Sequence, residues 1–93
     1  MINSFKDKAL ERCWREDECG KIRTNLKRRL LMKLDSMDLA TCIEDLQNPP
    51  SNHLHQLTGN LNGYWAIRVN GPWRLIFRWS EGSIYDVSLE QYH

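Results

Sequence analysis

Two hydrophobic periodicities divide this chain at Asn48-Pro49-Pro50-Ser51-Asn52. Before that stretch, apolar residues recur at helical spacing; after it, they alternate. Phe5, Ala9, Leu10, Cys13 and Trp14 predict a first helix ending near Cys19-Gly20. Ser4 and Asp7 have the S-x-x-D form of a capping box that would open it, and Ile2 to Ser4 predict a short strand ahead of it. A second helix is predicted from about Thr24, with Leu26, Leu30, Leu34 and Met37 as its apolar stripe and Leu31 beside it. Asp38 is placed to cap a third short helix carrying Leu39, Cys42, Ile43 and Leu46. The prolines stop it, because proline has no N–H and pushes the preceding residue out of helical conformation.

Beyond the prolines, three strands are predicted, at Tyr64 to Asn70, Trp73 to Trp79 and Tyr85 to Leu89. Trp65, Ile67 and Val69 share one face of the first, and Tyr64, Ala66, Arg68 and Asn70 the other. Trp73, Leu75, Phe77 and Trp79 oppose Arg74, Ile76 and Arg78 on the second; Tyr85, Val87 and Leu89 oppose Asp86 and Ser88 on the third. The apolar faces must meet the helices, leaving the arginine face open. The turn decides this, since one residue of register exchanges the buried and open sets. A two-residue Asn70-Gly71 turn would place Arg68 opposite Trp73. A three-residue loop, Asn70 to Pro72, places Arg68 opposite Arg74, with Gly71 supplying the left-handed residue. The three-residue loop is therefore expected.

The fold class is α+β, with N-terminal helices on one face of a small, mainly antiparallel sheet and an open basic face opposite. Residues 1–93 form one domain at this length. The composition, 41% hydrophobic and 27% charged, is that of an ordinary globular chain. No apolar run is long enough to span a bilayer. The N-terminal MINSFKDKALERCW has no signal-peptide apolar segment, so a cytoplasmic location is expected. Cys13, Cys19 and Cys42 are odd in number and lack C-x-x-C spacing, which points to three reduced thiols. The net charge of +1 means that attraction for nucleic acid must come from local clustering.

Three groups of side chains carry candidate chemistry. Arg68, Arg74 and Arg78 crowd like charges on one face, which is unfavourable unless an anion offsets them. A phosphate clamp uses the bidentate guanidinium; a solvated face with an Arg78–Asp86 ion pair is the plainer reading and weighs more on pattern alone. His53, His55 and His93 include natural proton donors and acceptors, though each is more commonly a surface residue, and His93 is terminal. Tyr64, Tyr85 and Tyr92 are candidates to stack on bases, with Tyr85 better read as core; Tyr92 could instead cover the sheet edge. Trp65, Trp73 and Trp79 are read as packing. Lys21, Arg23, Lys27, Arg28, Arg29 and Lys33 form a basic run, either a solvated helix face or a surface for a polyanion such as ribosomal RNA. No glycine-rich phosphate loop or nucleophile motif is present.

Taken in order, these residues resemble the HigB branch of the RelE-type toxins. The resemblance rests on L-H-x-L-x-G at Leu54 to Gly59, G-Y-W-A-I-R-V-N-G at Gly63 to Gly71, W-R-L-I-F-R-W at Trp73 to Trp79 and Y-D-V-x-L-x-x-Y-H at Tyr85 to His93. I-x-S-F-K at Ile2 to Lys6 and the Leu34 to Leu46 segment also match, so nearly the whole chain is covered. It implies a RelE-like toxin of a type II toxin–antitoxin pair that cleaves messenger RNA in the ribosomal A site by 2′-hydroxyl attack on the adjacent phosphate. No metal or cofactor is implied. Carried over, His55 is the motif histidine and Arg74 stabilises the phosphate. His93 is an acid or base, and Tyr92 positions or stacks the substrate. Arg68 joins them by alternation, with Arg78 and Thr58 as further phosphate-side candidates; Lys21, Arg23, Lys27 and Arg28 are candidates for ribosome contact. Two positions depart from the pattern. Thr58 stands where lysine is frequent, and Pro72 replaces the asparagine of N-W-R.

The expected partners are a cognate helix-turn-helix antitoxin of HigA type, the ribosome and messenger RNA, with no membrane. The toxin–antitoxin complex is expected to be hetero-oligomeric and to bind operator DNA through the antitoxin. Two other readings stand beside this one: a non-catalytic RNA- or protein-binding module on the same scaffold, and a metal-dependent hydrolase using His53, His55 and His93.

Overall fold

The computed structural model describes residues 1–91. Helix α1 spans Lys8–Glu16 and α2 spans Thr24–Leu39. Strands β1 (His55–Gln56), β2 (Tyr64–Asn70), β3 (Trp73–Ser80) and β4 (Ser83–Gln91) form one antiparallel sheet in that order. The α2 stripe is as expected: Leu26, Leu30, Leu34 and Met37 are buried. They meet Ile67, Val69, Leu75, Phe77, Ile84 and Val87 from the inner face of the sheet. Trp65, Trp73 and Trp79 pack half-buried against this core. A smaller apolar cluster of Leu57, Ala66 and Ile76, with Tyr64 against it, lies apart from the main core. It belongs to the outer face, because Ala66 and Ile76 alternate with the buried Ile67, Leu75 and Phe77.

The N-terminal segment departs from its predicted capping role. Asp7 is the N-cap of α1, its carboxylate accepting from the Leu10 N–H at 3.1 Å. Ser4 instead serves β4: the Asp86 N–H donates to its hydroxyl at 2.9 Å. Ile2 and Phe5 bridge Ile84 and Val87 in parallel, so the chain start runs along the outer edge of the sheet. That cover removes an exposed strand edge. Helix α1 stops earlier than its periodicity suggests, because Asp17 takes a left-handed φ of 57° and its N–H caps the Arg12 carbonyl.

That reversal also corrects the expectation of three reduced thiols. Cys13 and Cys19 are joined by a disulfide, their Cα atoms 4.3 Å apart; Cys42 is free and exposed. A six-residue separation closed by a left-handed turn has no spacing motif to announce it.

The predicted third helix is replaced. Asp38 lies inside α2, and its carboxylate accepts from the Ile2 N–H at 2.9 Å. Beyond α2 the chain forms a 3₁₀ turn, Ile43–Gln47, opened by a Cys42–Asp45 capping box. Leu46 is buried there, whereas Leu39 is 80% exposed. The segment from Leu46 to Asn52 is held by one side chain. Asn52 is 1% exposed. Its amide donates to the Leu46 and Asn48 carbonyls at 3.1 and 3.2 Å. Its oxygen accepts from the Lys33 ammonium on α2. Three residues after Asn52, the chain enters β1, a strand too short for alternation to reveal.

Asn52→Ala is expected to cost about 1–3 kcal/mol in urea unfolding, because it strands two carbonyls and an ammonium. Leu39→Ala, at an exposed position, should stay within about 0.5 kcal/mol of wild type. Equal small effects would show that the Asn52 hydrogen bonds do not hold this segment.

Candidate functional site

Two bulges set which side chains reach the outer face. The hairpin turn is Gly71-Pro72, with Asn70 paired to Trp73, one residue shorter than expected. Gly71 has φ 56°, the positive value that the first position of such a turn favours. A register shift between Arg68 and Asn70 then makes Val69 an extra residue, and Arg68 still falls opposite Arg74. The expected opposition is present, produced by a short turn plus a bulge rather than by a longer loop. On β4 a second shift places Asp86 in a bulge, with φ 56°. It puts Ile84 in the core and turns Tyr85 outward, opposite Arg78. Tyr85 is therefore not a core residue; its hydroxyl accepts from the Asn3 amide at 3.0 Å.

The outer face is thus a grid of cross-strand rows. One row is Arg68, Arg74 and Glu90; the next is His55, Ala66, Ile76 and Ser88; the third is Tyr64, Arg78 and Tyr85. Arg78 lies in the third row by its place in β3, and the Asp86 carboxylate is 3.4 Å from its guanidinium. That is the ion pair of the plainer sequence reading, and it separates Arg78 from the other two arginines.

Arg68 and Arg74 share a depression of about 540 Å³ with His53, Leu54, His55 and Gly71. The Arg74 guanidinium donates to the Gly71 carbonyl at 3.5 Å, which holds it over the hairpin turn. His53 is left-handed, with φ 49°, and His55 lies two residues on at the sheet edge. The His55 Nδ1 is 2.7 Å from the His53 carbonyl oxygen. A carbonyl can only accept, so Nδ1 carries the proton and Nε2 of the neutral ring is an acceptor. The contact fixes the ring orientation and turns Nε2 away from the His53 backbone.

The remaining candidates separate. Thr58 is exposed, next to the 3₁₀ turn Gly59–Leu61, and brings no charge. Tyr92 and His93 lie outside the described residues. Lys21, Arg23, Lys27 and Arg28 do not line the depression; Lys27 faces Asp17 at 3.7 Å. The basic run reaches the site through Arg29 and Lys33 instead. With Met32, Ser36, Pro49, Ser51 and Val69, they line a neighbouring hollow of about 380 Å³ that also includes Arg68. Burial, and secondarily the nearby Arg29 charge, pushes the Lys33 ammonium below its ordinary pKa. Their i, i+4 spacing places both on one side of α2, which the run of basic residues conceals. Among the described residues, no group of three or more His, Cys, Asp or Glu is placed to hold a metal ion. No described helix is long and apolar enough to cross a membrane.

Residues 3–93 match the family described as RelE-like toxin of type II toxin–antitoxin system HigB. The chain belongs to the HigB family of RelE-like toxins. It is 38% identical to Toxin HigB-1 of Vibrio cholerae, over 97% of this chain and 96% of that protein. It is 34% identical to Endoribonuclease HigB of Proteus vulgaris, over the full length of both. Two more distant structures share the fold. A chain of the YoeB-YefM complex from Staphylococcus aureus gives a TM-score of 0.57 at 17% identity, over 100% of this chain and 98% of that one. The YoeB/ParE toxin from Agrobacterium tumefaciens gives 0.51 at 19%, over 99% and 96%. In this HigB-family chain Arg68, Arg74, His53 and His55 meet at the end of the sheet where the β2–β3 turn lies.

Inorganic phosphate titrated into the protein should shift the guanidinium NMR signals of Arg68 and Arg74 and leave those of Arg78 in place. An equal response from all three would show that the Asp86 pair does not set Arg78 apart.

Proposed function

We propose that this chain is a ribosome-dependent messenger-RNA endoribonuclease, restrained by a cognate antitoxin and acting in the A site. The observation that carries the reading is the opposition of Arg68 and Arg74 beside His55, whose ring is oriented through Nδ1 by the His53 carbonyl. The endoribonuclease name of the Proteus vulgaris relative supports it.

The chemistry follows from those groups. His55 Nε2 takes the proton of a ribose 2′-hydroxyl. The 2′-oxygen attacks the adjacent phosphorus, and the bond to the 5′-oxygen breaks, giving a 2′,3′-cyclic phosphate and a 5′-hydroxyl. Arg68 and Arg74 stabilise the charge that accumulates on the phosphorane oxygens. His93 supplies the proton for the leaving 5′-oxygen, and Tyr92 positions the substrate. No step assigned to these residues calls for a metal ion. A helix-turn-helix antitoxin of HigA type is the proposed partner, in a hetero-oligomer that binds operator DNA through the antitoxin. The YoeB-YefM complexes support an antitoxin partner in general. Lys21, Arg23, Lys27 and Arg28 are proposed to meet ribosomal RNA, where exposed cations act through the phosphate backbone.

A second reading, a binding module without cleavage, draws on Thr58 and Pro72. Each removes a polar group that the family pattern supplies near the site.

Arg74→Ala should lower cleavage about 10²–10³-fold, the loss expected for one charge-stabilising donor. Arg74→Lys should recover only part of it, because the bidentate geometry is lost. His55→Ala should cost about 10²–10⁴-fold, and removal of His93 should abolish growth inhibition. The measurements are growth on induction and primer extension on translated messages, with circular dichroism to check folding. Cleavage should persist in excess chelator. Toxicity undiminished in the Arg74 and His93 variants would show the site to be misassigned; binding to translating ribosomes without new 5′ ends would favour the module.

A further inference from the structure

We propose that the hollow beside the arginine row is a base-reading pocket. It would take the nucleobase of the nucleotide next to the clamped phosphate and prefer bases that carry an exocyclic amino group. The proposal rests on the nuclease reading above. The hollow measures about 430 Å³ and is lined by Lys6, Leu61, Tyr64, Ile76, Ser88 and Glu90, with Gln91 at its rim. Its apolar lining is Leu61, Tyr64 and Ile76, the last 5% exposed and part of the outer-face apolar cluster.

Three observations favour a base over a second phosphate. The apolar lining includes the half-buried Tyr64 ring, which suits a flat heterocycle. The Glu90 carboxylate offsets the Lys6 ammonium, so the hollow has no net positive charge to hold a second phosphate. Position agrees as well. Ile76 and Ser88 lie one grid row from Arg74 and Glu90, about 6.6 Å along the strands. A phosphate between Arg68 and Arg74 therefore leaves its own base within reach of the hollow. The polar groups on the β4 side can read the base edge. Glu90 accepts hydrogen bonds from an exocyclic amine, and the Ser88 hydroxyl donates or accepts. Uracil offers no amine to the carboxylate and is disfavoured.

The test maps 5′ ends on translated messages for wild type, Tyr64→Ala, Tyr64→Phe and Glu90→Gln. Tyr64→Ala should lower cleavage about ten-fold or more, the loss expected of one base–aromatic stack, and Tyr64→Phe should restore most of it. Glu90→Gln should raise the share of cuts beside uridine, because an amide donates as well as accepts. If Tyr64→Ala does not fold by circular dichroism, the exposed Glu90 position decides alone. Wild-type cleavage with unchanged rate and unchanged base distribution in the folded variants would overturn the pocket while leaving the nuclease reading intact. Loss of antitoxin binding in Tyr64→Ala with cleavage unchanged would overturn it too, assigning the hollow to a protein partner. Absence of wild-type cleavage would overturn both readings.

Discussion

Arg68 lies opposite Arg74 because β2 carries one extra residue, Val69, beside a two-residue turn. Without that bulge, the Asn70–Trp73 pairing would set Arg68 against Leu75 and Val69 against Arg74. Buried and open sets would then be interchanged along half the hairpin. Val69 nevertheless remains in the core at 3% exposure, so the bulge is accommodated without giving up an apolar contact. Two guanidiniums facing each other across strands repel. Burial of Ile67, Val69, Leu75 and Phe77 on the other face offsets that cost, at roughly 1.5–3 kcal/mol for each large side chain. The like-charge pair is held by the packing beneath it.

The second bulge has a complementary effect. Asp86, left-handed in β4, is held by the Ser4 hydroxyl from the N-terminal segment and reaches Arg78. The arginine already in the far row is thereby paired with a carboxylate. Positive charge is concentrated where the histidines are, not spread along β3. The N-terminal segment thus contributes to electrostatics on the opposite side of the sheet from its own apolar contacts, Ile2 and Phe5.

Much of this was legible in the residue pattern. The α2 stripe, the spans of β2 and β3, the outward arginines and the inward tryptophans follow from periods of 3.6 and 2. What was not legible depends on contacts distant in sequence. Asp38 looks like a cap until the Ile2 N–H claims it, and Ser4 looks like a cap until Asp86 does. Tyr85 looks like core under strict alternation, which a bulge shifts by one residue. The disulfide required a turn geometry, and β1 was too short to show a period. On α2 the basic run reads as one face; only the packing shows that Arg29 and Lys33 look toward Arg68 while Lys27 looks toward Asp17.

The placement of His55 shows how a remote polar contact can govern a site. Its ring is oriented by the His53 carbonyl, and His53 is left-handed directly after Asn52. Asn52 is in turn hydrogen-bonded to Leu46, Asn48 and Lys33, so the imidazole is referenced through one buried amide to helix α2. The arginines are referenced to the same helix through the core, because Ile67 and Val69 pack among its leucines. His55 and the two arginines therefore share one support, although they lie on different strands. The proposed proton acceptor on the sheet edge is thereby tied to the same framework as the proposed arginine clamp, the kind of common scaffold that a precise site needs.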